Sequence, residues 1–286
     1  MQSTLITAVF LPFAVGVIML GLGLSLTPAD FRRVFVYPRA VLVGLLCQTI
    51  LLPAICFGIA KAFGLSPELA VGLMLLAASP GGASANLFSH LARGDVALNI
   101  TLTAINSILS LVTLPLLIGL SLAAFMDQDK TIPVQTGKIL QVVGVVIIPA
   151  VIGMAIRNSK PAFAERLDRP VRILSAALLA ILVIAALIQQ RATLGDAIVA
   201  IGGAALAFNL LSLLVGYYVP RLAGLDKRQA IACGMEIGIH NAALAMAIAD
   251  KVLENQTMVI PPAIYGVLMF FTAAAFSVIV SKRSGD

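Results

Sequence analysis

The chain has 286 residues, of which 60% are hydrophobic and only 11% charged, with a mean hydropathy of +1.05 and a formal net charge of +6. A soluble domain carries about 25% charged residues, so the polar inventory is too small to cover a water-soluble globule and a polytopic membrane protein is implied. The positive balance is scattered over short connections rather than gathered into a basic face, so it gives no sign of a nucleic-acid partner.

A helix needs about 20 apolar residues to cross the ~30 Å hydrocarbon layer. Nine stretches meet that need in chain order: 5–25, 38–60, 68–91, 96–125, 134–156, 171–188, 197–220, 229–249 and 260–280. The first has neither a positive leader nor a small-residue cleavage pattern, and reads as a retained span rather than a signal peptide. Cys47, Cys56 and Cys233 lie inside these stretches without metal-ligand spacing, as small apolar packing residues. Fourteen of the nineteen Lys and Arg residues lie on odd-numbered connections or the C-terminal tail. Only Lys61, Lys130, Lys138, Arg191 and Lys251 belong to the even ones. The positive-inside rule then predicts a multi-pass protein of the inner (plasma) membrane, with its N-terminus outside and its C-terminus in the cytoplasm. An odd number of spans requires the same opposition of ends.

The third stretch is interrupted near its middle by Ser79-Pro80-Gly81-Gly82. Pro80 removes a backbone donor and disfavours helix at Ser79, while the glycines permit other dihedrals. A similar break, Glu236-Ile237-Gly238-Ile239-His240-Asn241, interrupts the eighth stretch. The segments leading into the two breaks, 61–70 (KAFGLSPELA) and 221–230 (RLAGLDKRQA), are alike. The third and eighth stretches are five apart, so they run in opposite directions, as in an inverted repeat with its site at the midplane. Free carbonyls ending one half-helix can hold a cation, and free N–H groups opening the next can hold an anion. Such irregular backbone is tolerated at that depth only where it is buried in protein or lines a cavity.

Ser84 and Asn86 follow the first break, and Gln48 is the only amide of the second stretch. In the fourth stretch Asn99, Thr103 and Asn106 share one helix face by their i, i+4, i+7 spacing. Amide, hydroxyl and carboxylate oxygens suit a hard cation, and no thiolate or histidine cluster points to a transition metal. Asn86, Asn99 and Thr103 are read as cation ligands. Asn106, Gln141 and Asn209 are read as interhelical hydrogen-bonding residues.

The eighth stretch holds Glu236, the one acidic residue of thirteen that no loop can accommodate. No Lys or Arg is available at its depth, so it must be protonated, wetted by a cavity, or paired with a cation that comes and goes. His240 could orient Glu236 by a hydrogen bond, titrate with it as a proton site, or simply pack. His90, beside Arg93 at a span end, reads as interfacial.

Ser79-Pro-Gly-Gly-Ala-Ser-Ala-Asn-Leu-Phe88, Ala92-Arg-Gly-Asp-Val-Ala-Leu98 and Glu236-Ile-Gly-Ile-His-Asn241 together resemble the bile acid:sodium symporter family, here a bacterial member. The likeness extends from about residue 20 to 282. It implies an all-α polytopic membrane protein of nine transmembrane helices, with an inverted repeat and two broken, crossing helices. Some bacterial members have ten spans, and this sequence begins where their second would. The resemblance also implies a panel (about 1–33 and 134–192) and a core (about 34–133 and 193–286). Carried over by position, a first sodium site uses Asn86, Asn99, Thr103 and Glu236. A second uses Gln48, Glu236, backbone carbonyls around Ile237 and Ile239, and the side chain of His240. Ser84 and Asn241, with nearby N–H groups, are implied as substrate-binding. Ala85 stands where the family usually has Ser, and His240 where it usually has Gln.

The reading is a secondary active transporter that couples Na⁺ influx, one or two ions, to uptake of a small organic anion by alternating access. The anion is bile-acid-like or a small carboxylate such as a pantoate-like acid. The bilayer is its surroundings, and no obligatory protein partner is evident. The alternatives are proton coupling through Glu236 and His240, an arsenite exporter lacking the expected thiol, a passive channel, and an intramembrane enzyme built on a Ser84–His240 dyad. No zinc motif or paired aspartates favour the enzyme, so none is expected.

Overall fold

The computed structural model describes residues 10–82, 84–126, 136–189 and 194–282. Among them every regular element is helical, apart from one isolated antiparallel bridge between Gly81 and His240. Lys130, Arg191 and Arg283 from the charge count, and the predicted span residues 5–9 and 134–135, lie outside the described residues.

Helix α1 (Leu11–Ser25) is followed by a short helix α2 (Pro28–Arg32) and a 3₁₀ turn Arg33–Phe35, in what the sequence predicts as a plain connection. The local cause is a capping box. Asp30 Oδ2 accepts from Thr27 N at 2.6 Å and Thr27 Oγ1 at 2.7 Å, and Pro28 supplies the first helical residue. The chain bends by 69° between α1 and this segment.

The second predicted stretch is one helix, α3 (Pro38–Leu46) and α4 (Leu52–Ala62), joined by a π-helical turn Cys47–Leu51. Pro53 lacks an N–H, so one α-type bond is lost there, and Leu52 N donates five residues back to Cys47 O. This widened turn carries buried Gln48.

Helices α5 (Pro67–Ala78) and α6 (Ser84–Leu91) flank the first break, and α7 (Val96–Phe125) follows. Next come α8 (Thr136–Ser159) and α9 (Pro161–Gln189). Helix α9 begins ten residues before the predicted start at 171, because the charged segment from Pro161 is itself helical. Only Lys160 separates it from α8. Helix α10 (Leu194–Leu222) leads to α11 (Lys227–Gly238) and α12 (Ala242–Lys251), which flank the second break. A 3₁₀ turn Thr257–Val259 and α13 (Ile260–Lys282) complete the described chain.

Among the described residues four helices are individually long and apolar enough to cross a membrane: Pro38–Ala62, Val96–Phe125, Val199–Leu222 and Thr257–Ser281. The bent pair Pro12–Ser25 and Pro28–Phe35 counted as one span would make five. The chain is thus a multi-pass helical membrane protein. Helix α1 packs along α8 and α9, while α10 packs on α11 and α13, and α5 on α7. The α1–α8 contact is backbone to backbone: a Cβ at Gly23 would lie 2.0 Å from Ala150 O, and one at Gly153 would lie 2.5 Å from Leu20 O. Small residues permit such approach where lipid provides no hydrophobic drive between helices.

Candidate functional site

The two breaks meet. Helix α5 stops at Ala78, since Pro80 cannot donate and Ser79 is extended (ψ 146°), and α11 stops at Gly238. Both tracts carry main-chain polar groups that their own helices no longer satisfy. They satisfy each other: Gly82 N donates to Ile239 O at 2.7 Å, and Asn241 N donates to Pro80 O at 2.9 Å. Asn209 Nδ2 and Tyr265 OH both donate to Gly238 O, each at 3.0 Å, and finish the last turn of α11.

Glu236 lies in that last turn and is fully buried. Its carboxylate rests on the first break, where a Cβ at Gly81 would come within 2.2 Å of Oε1. Thr103 Oγ1 donates to Oε2 at 2.5 Å and Asn106 Nδ2 reaches Oε1 at 3.4 Å. No Lys or Arg pairs with it among the described residues. Asn106 is therefore bonded between helices as predicted, but its partner is the site carboxylate. Its register with Asn99 and Thr103 was the sequence signal for that.

Asn99 Nδ2 donates to Ala232 O at 2.8 Å, one turn before Glu236 on α11, while Asn99 O accepts from Thr103 Oγ1 at 3.0 Å. A hydroxyl carries one proton, so Thr103 serves Glu236 or Asn99 O at a given moment and retains lone pairs for another electrophile. The side-chain oxygens Asn86 Oδ1, Asn99 Oδ1 and Gln48 Oε1 are buried without a hydrogen-bond donor. Gln48 Nε2 donates to Ser79 O at 3.0 Å, at the end of α5. Buried acceptors of this kind call for a positive partner. Hard amide and carboxylate oxygens suit Na⁺, and a single carboxylate balances one monovalent charge. Among the described residues no group of three His, Cys, Asp or Glu could hold a metal ion.

His240 is fully buried and does not hydrogen-bond to Glu236. Its Nδ1 faces Ser79 O at 3.5 Å and its Nε2 has no partner. The ring stacks on Phe208 (centroids 5.6 Å, planes 11° apart) and touches Tyr265 at 5.4 Å. The sequence reading missed Phe208, Tyr265 and the part Asn209 plays, because only the fold brings α10 and α13 to the second break. Ile237 is buried in the last turn of α11, and the Ile239 carbonyl is taken by Gly82 N.

Ser84 opens α6 and is half-buried. Asn241 caps α12, its Oδ1 accepting from Leu244 N at 3.0 Å, while its Nδ2 lies 3.9 Å from Met19 Sδ on α1. A cavity of about 250 Å³ lies between α1 and α9 on one side and α6 and α7 on the other. Gly21, Ser25, Asn86, Ile100, Asp168 and Ser175 are among the residues that line it.

The sequence profile of the Sodium Bile acid symporter family matches residues 12–197. The chain belongs to this family. It is 29% identical over 272 residues to a probable chloroplastic sodium/metabolite cotransporter, BASS2, of Oryza sativa subsp. japonica, covering 94% of this chain and 63% of that protein. It therefore spans less than two thirds of the rice protein's length. Identity is 27% over 280 residues to the uncharacterized sodium-dependent transporter YocS of Bacillus subtilis (strain 168), covering 96% and 84%. It is 24% over 277 residues to the ileal sodium/bile acid cotransporter of Oryctolagus cuniculus, covering 96% and 79%. The family and these relatives are transporters rather than enzymes, in agreement with the sequence reading.

Proposed function

We propose that this chain is a sodium-coupled importer of a small organic anion, working by alternating access across nine spans. Its N-terminus would be outside and its C-terminus cytoplasmic. One or two Na⁺ ions are carried as co-substrate. The observation that carries the reading is Glu236: a buried carboxylate without a fixed cation, held by Thr103 and Asn106 against the first break. Asn86, Asn99 and Thr103 would join it around one ion. Gln48, the Ile237 and Ile239 carbonyls and His240 are the candidates for a second. A bound cation would neutralise Glu236 and draw the two breaks together, so that order there precedes anion binding. Ser84, Asn241 and the half-helix N–H groups would then meet the substrate carboxylate.

The α1, α8 and α9 group would form the panel and the remaining helices the core, related by an inverted repeat and moving as rigid bodies. The cavity between them, at about 250 Å³, falls just below the roughly 300–1,000 Å³ of most ligand pockets, which favours a compact carboxylate over a bulky one. A proton relay from Glu236 to His240 gains no support from the geometry, because His240 faces Ser79 O instead.

Thermal unfolding in detergent, with NaCl compared with KCl and choline chloride at fixed ionic strength, tests the cation site. A ligand that binds only the folded state raises apparent stability by mass action. Sodium-specific stabilisation that vanishes in Glu236→Gln is the expected result. Equal stability in all three salts would overturn the reading.

A further inference from the structure

A second cavity, of about 650 Å³, opens beside the first at the α6–α7 turn and the start of α11. His90, Arg93, Asp95 and Arg228 supply its charged and titratable side chains, and Gly94, Val96 and Ala97 its remaining wall. His90 and Val96 line both cavities, so the two spaces adjoin.

The turn that builds it is held firmly. Arg93 adopts a left-handed φ of 62°, a conformation uncommon outside glycine, Asn and Asp. Gly94 is pressed on α11, where an added Cβ would meet Ser89 Oγ at 2.7 Å and Ile231 Cγ2 at 2.8 Å. Asp95 N donates to Arg228 O at 2.9 Å, which ties the turn to α11. Asp95 Oδ1 accepts from Leu98 N at 3.0 Å, so that carboxylate is engaged in capping α7. Arg93 and Arg228 are both exposed, and neither is ion-paired among the described residues. Two guanidinium groups against one capping carboxylate leave this outer space net positive, while Asp168 stands on the wall of the inner cavity beyond it. Along α11, Glu236 lies eight residues beyond Arg228, about 12 Å at 1.5 Å per residue.

We propose that Arg93 and Arg228 form an anion vestibule, which takes the carboxylate of the transported substrate between the aqueous phase and the inner cavity. This rests on the transporter reading, and on the charge bias that assigns this end to the cytoplasm. A fixed positive field at the mouth of a low-dielectric cleft concentrates anions and raises their rate of entry. Guanidinium groups bind carboxylates by paired hydrogen bonds while remaining charged. The same groups could instead hold the phosphate of an anionic lipid, and the test separates the two sources.

The three native cysteines are buried, so Ala97→Cys introduces an accessible reporter thiol on the vestibule wall. Its rate of modification is measured with two methanethiosulfonate reagents of similar size, one carrying a sulfonate and one a trimethylammonium, in nanodiscs of phosphatidylcholine. The expected result is a preference for the anionic reagent that falls on the order of tenfold when Arg93→Asn and Arg228→Gln are added. Asn tolerates the left-handed φ, so the turn is preserved. The preference should weaken with salt and persist when phosphatidylglycerol is included. In sealed vesicles it should be confined to the cytoplasmic face. Equal rates for both reagents would overturn the proposal. A preference abolished by phosphatidylglycerol would also overturn it and assign the arginines to lipid. Sodium-dependent stabilisation of the same variants is read in parallel. Its absence there and in the parent chain would mark failure of the transporter reading rather than of the vestibule.

Discussion

Gly81 and Glu236 share a contact with no room for a single methyl group: a Cβ at position 81 would lie 2.2 Å from Oε1, 2.3 Å from Cδ and 2.5 Å from Oε2. The glycine of one broken helix is thus the floor on which the carboxylate of the other rests. Gly81→Ala should displace Glu236 and cost about 1–3 kcal/mol of stability, as overpacked sites do. The sodium-specific part of the thermal shift should disappear with it. Gly82→Ala is the control. Its Cβ would meet His240 O at 3.1 Å, so a shift of a few tenths of an ångström relieves it and a smaller loss is expected.

Thr103 Oγ1 makes the shorter of the two side-chain hydrogen bonds to Glu236. Thr103→Val keeps the volume and β-branching while removing the hydroxyl. Hydrogen bonds to charged groups contribute about 1.5–3 kcal/mol, so the sodium concentration for half-maximal stabilisation should rise roughly tenfold or more. An unchanged midpoint would remove Thr103 from the site.

Two donors converge on Gly238 O, one from Asn209 and one from Tyr265. Either alone can satisfy the carbonyl. Tyr265→Phe and Asn209→Leu should therefore each lower stability modestly, by about 1 kcal/mol. The double variant should lose more than the sum of the two, because a buried carbonyl at the break is then left bare. Thr272 Oγ1 donates to Asn209 but also reaches Leu268 O at 3.0 Å, so it retains a partner in the variant. Thermal unfolding of the four proteins completes the cycle.

Both breaks were legible in the sequence, since Pro80 and the flanking glycines act on their own backbone whatever packs around them. Asn99 and Thr103 were legible through helical spacing, which is likewise local. The helix at 28–32 was written in the sequence as Thr27 and Asp30 three residues apart, a capping signal that hydropathy does not carry. The early start of α9 was obscured for the same reason: hydropathy marks where a helix can meet lipid, not where its hydrogen bonds begin.

Glu236 could be recognised by sequence alone as a buried carboxylate, because no loop and no cation lies within reach along the chain. What surrounds it could not. Asn106 reaches the carboxylate, His240 turns to Ser79 O and stacks on Phe208, and Gly82 and Asn241 bond the two breaks together. Gly82 and Ile239 are 157 residues apart in the chain. The vestibule follows the same rule, since Arg93 and Arg228 line one cavity where the α6–α7 turn is tied to α11 through Asp95 N and Arg228 O. Composition, periodicity and backbone chemistry act over a few residues and determined the class, the helices and their interruptions. The pairing of one interruption with the other depends on close packing between distant helices, and only the tertiary structure decided it.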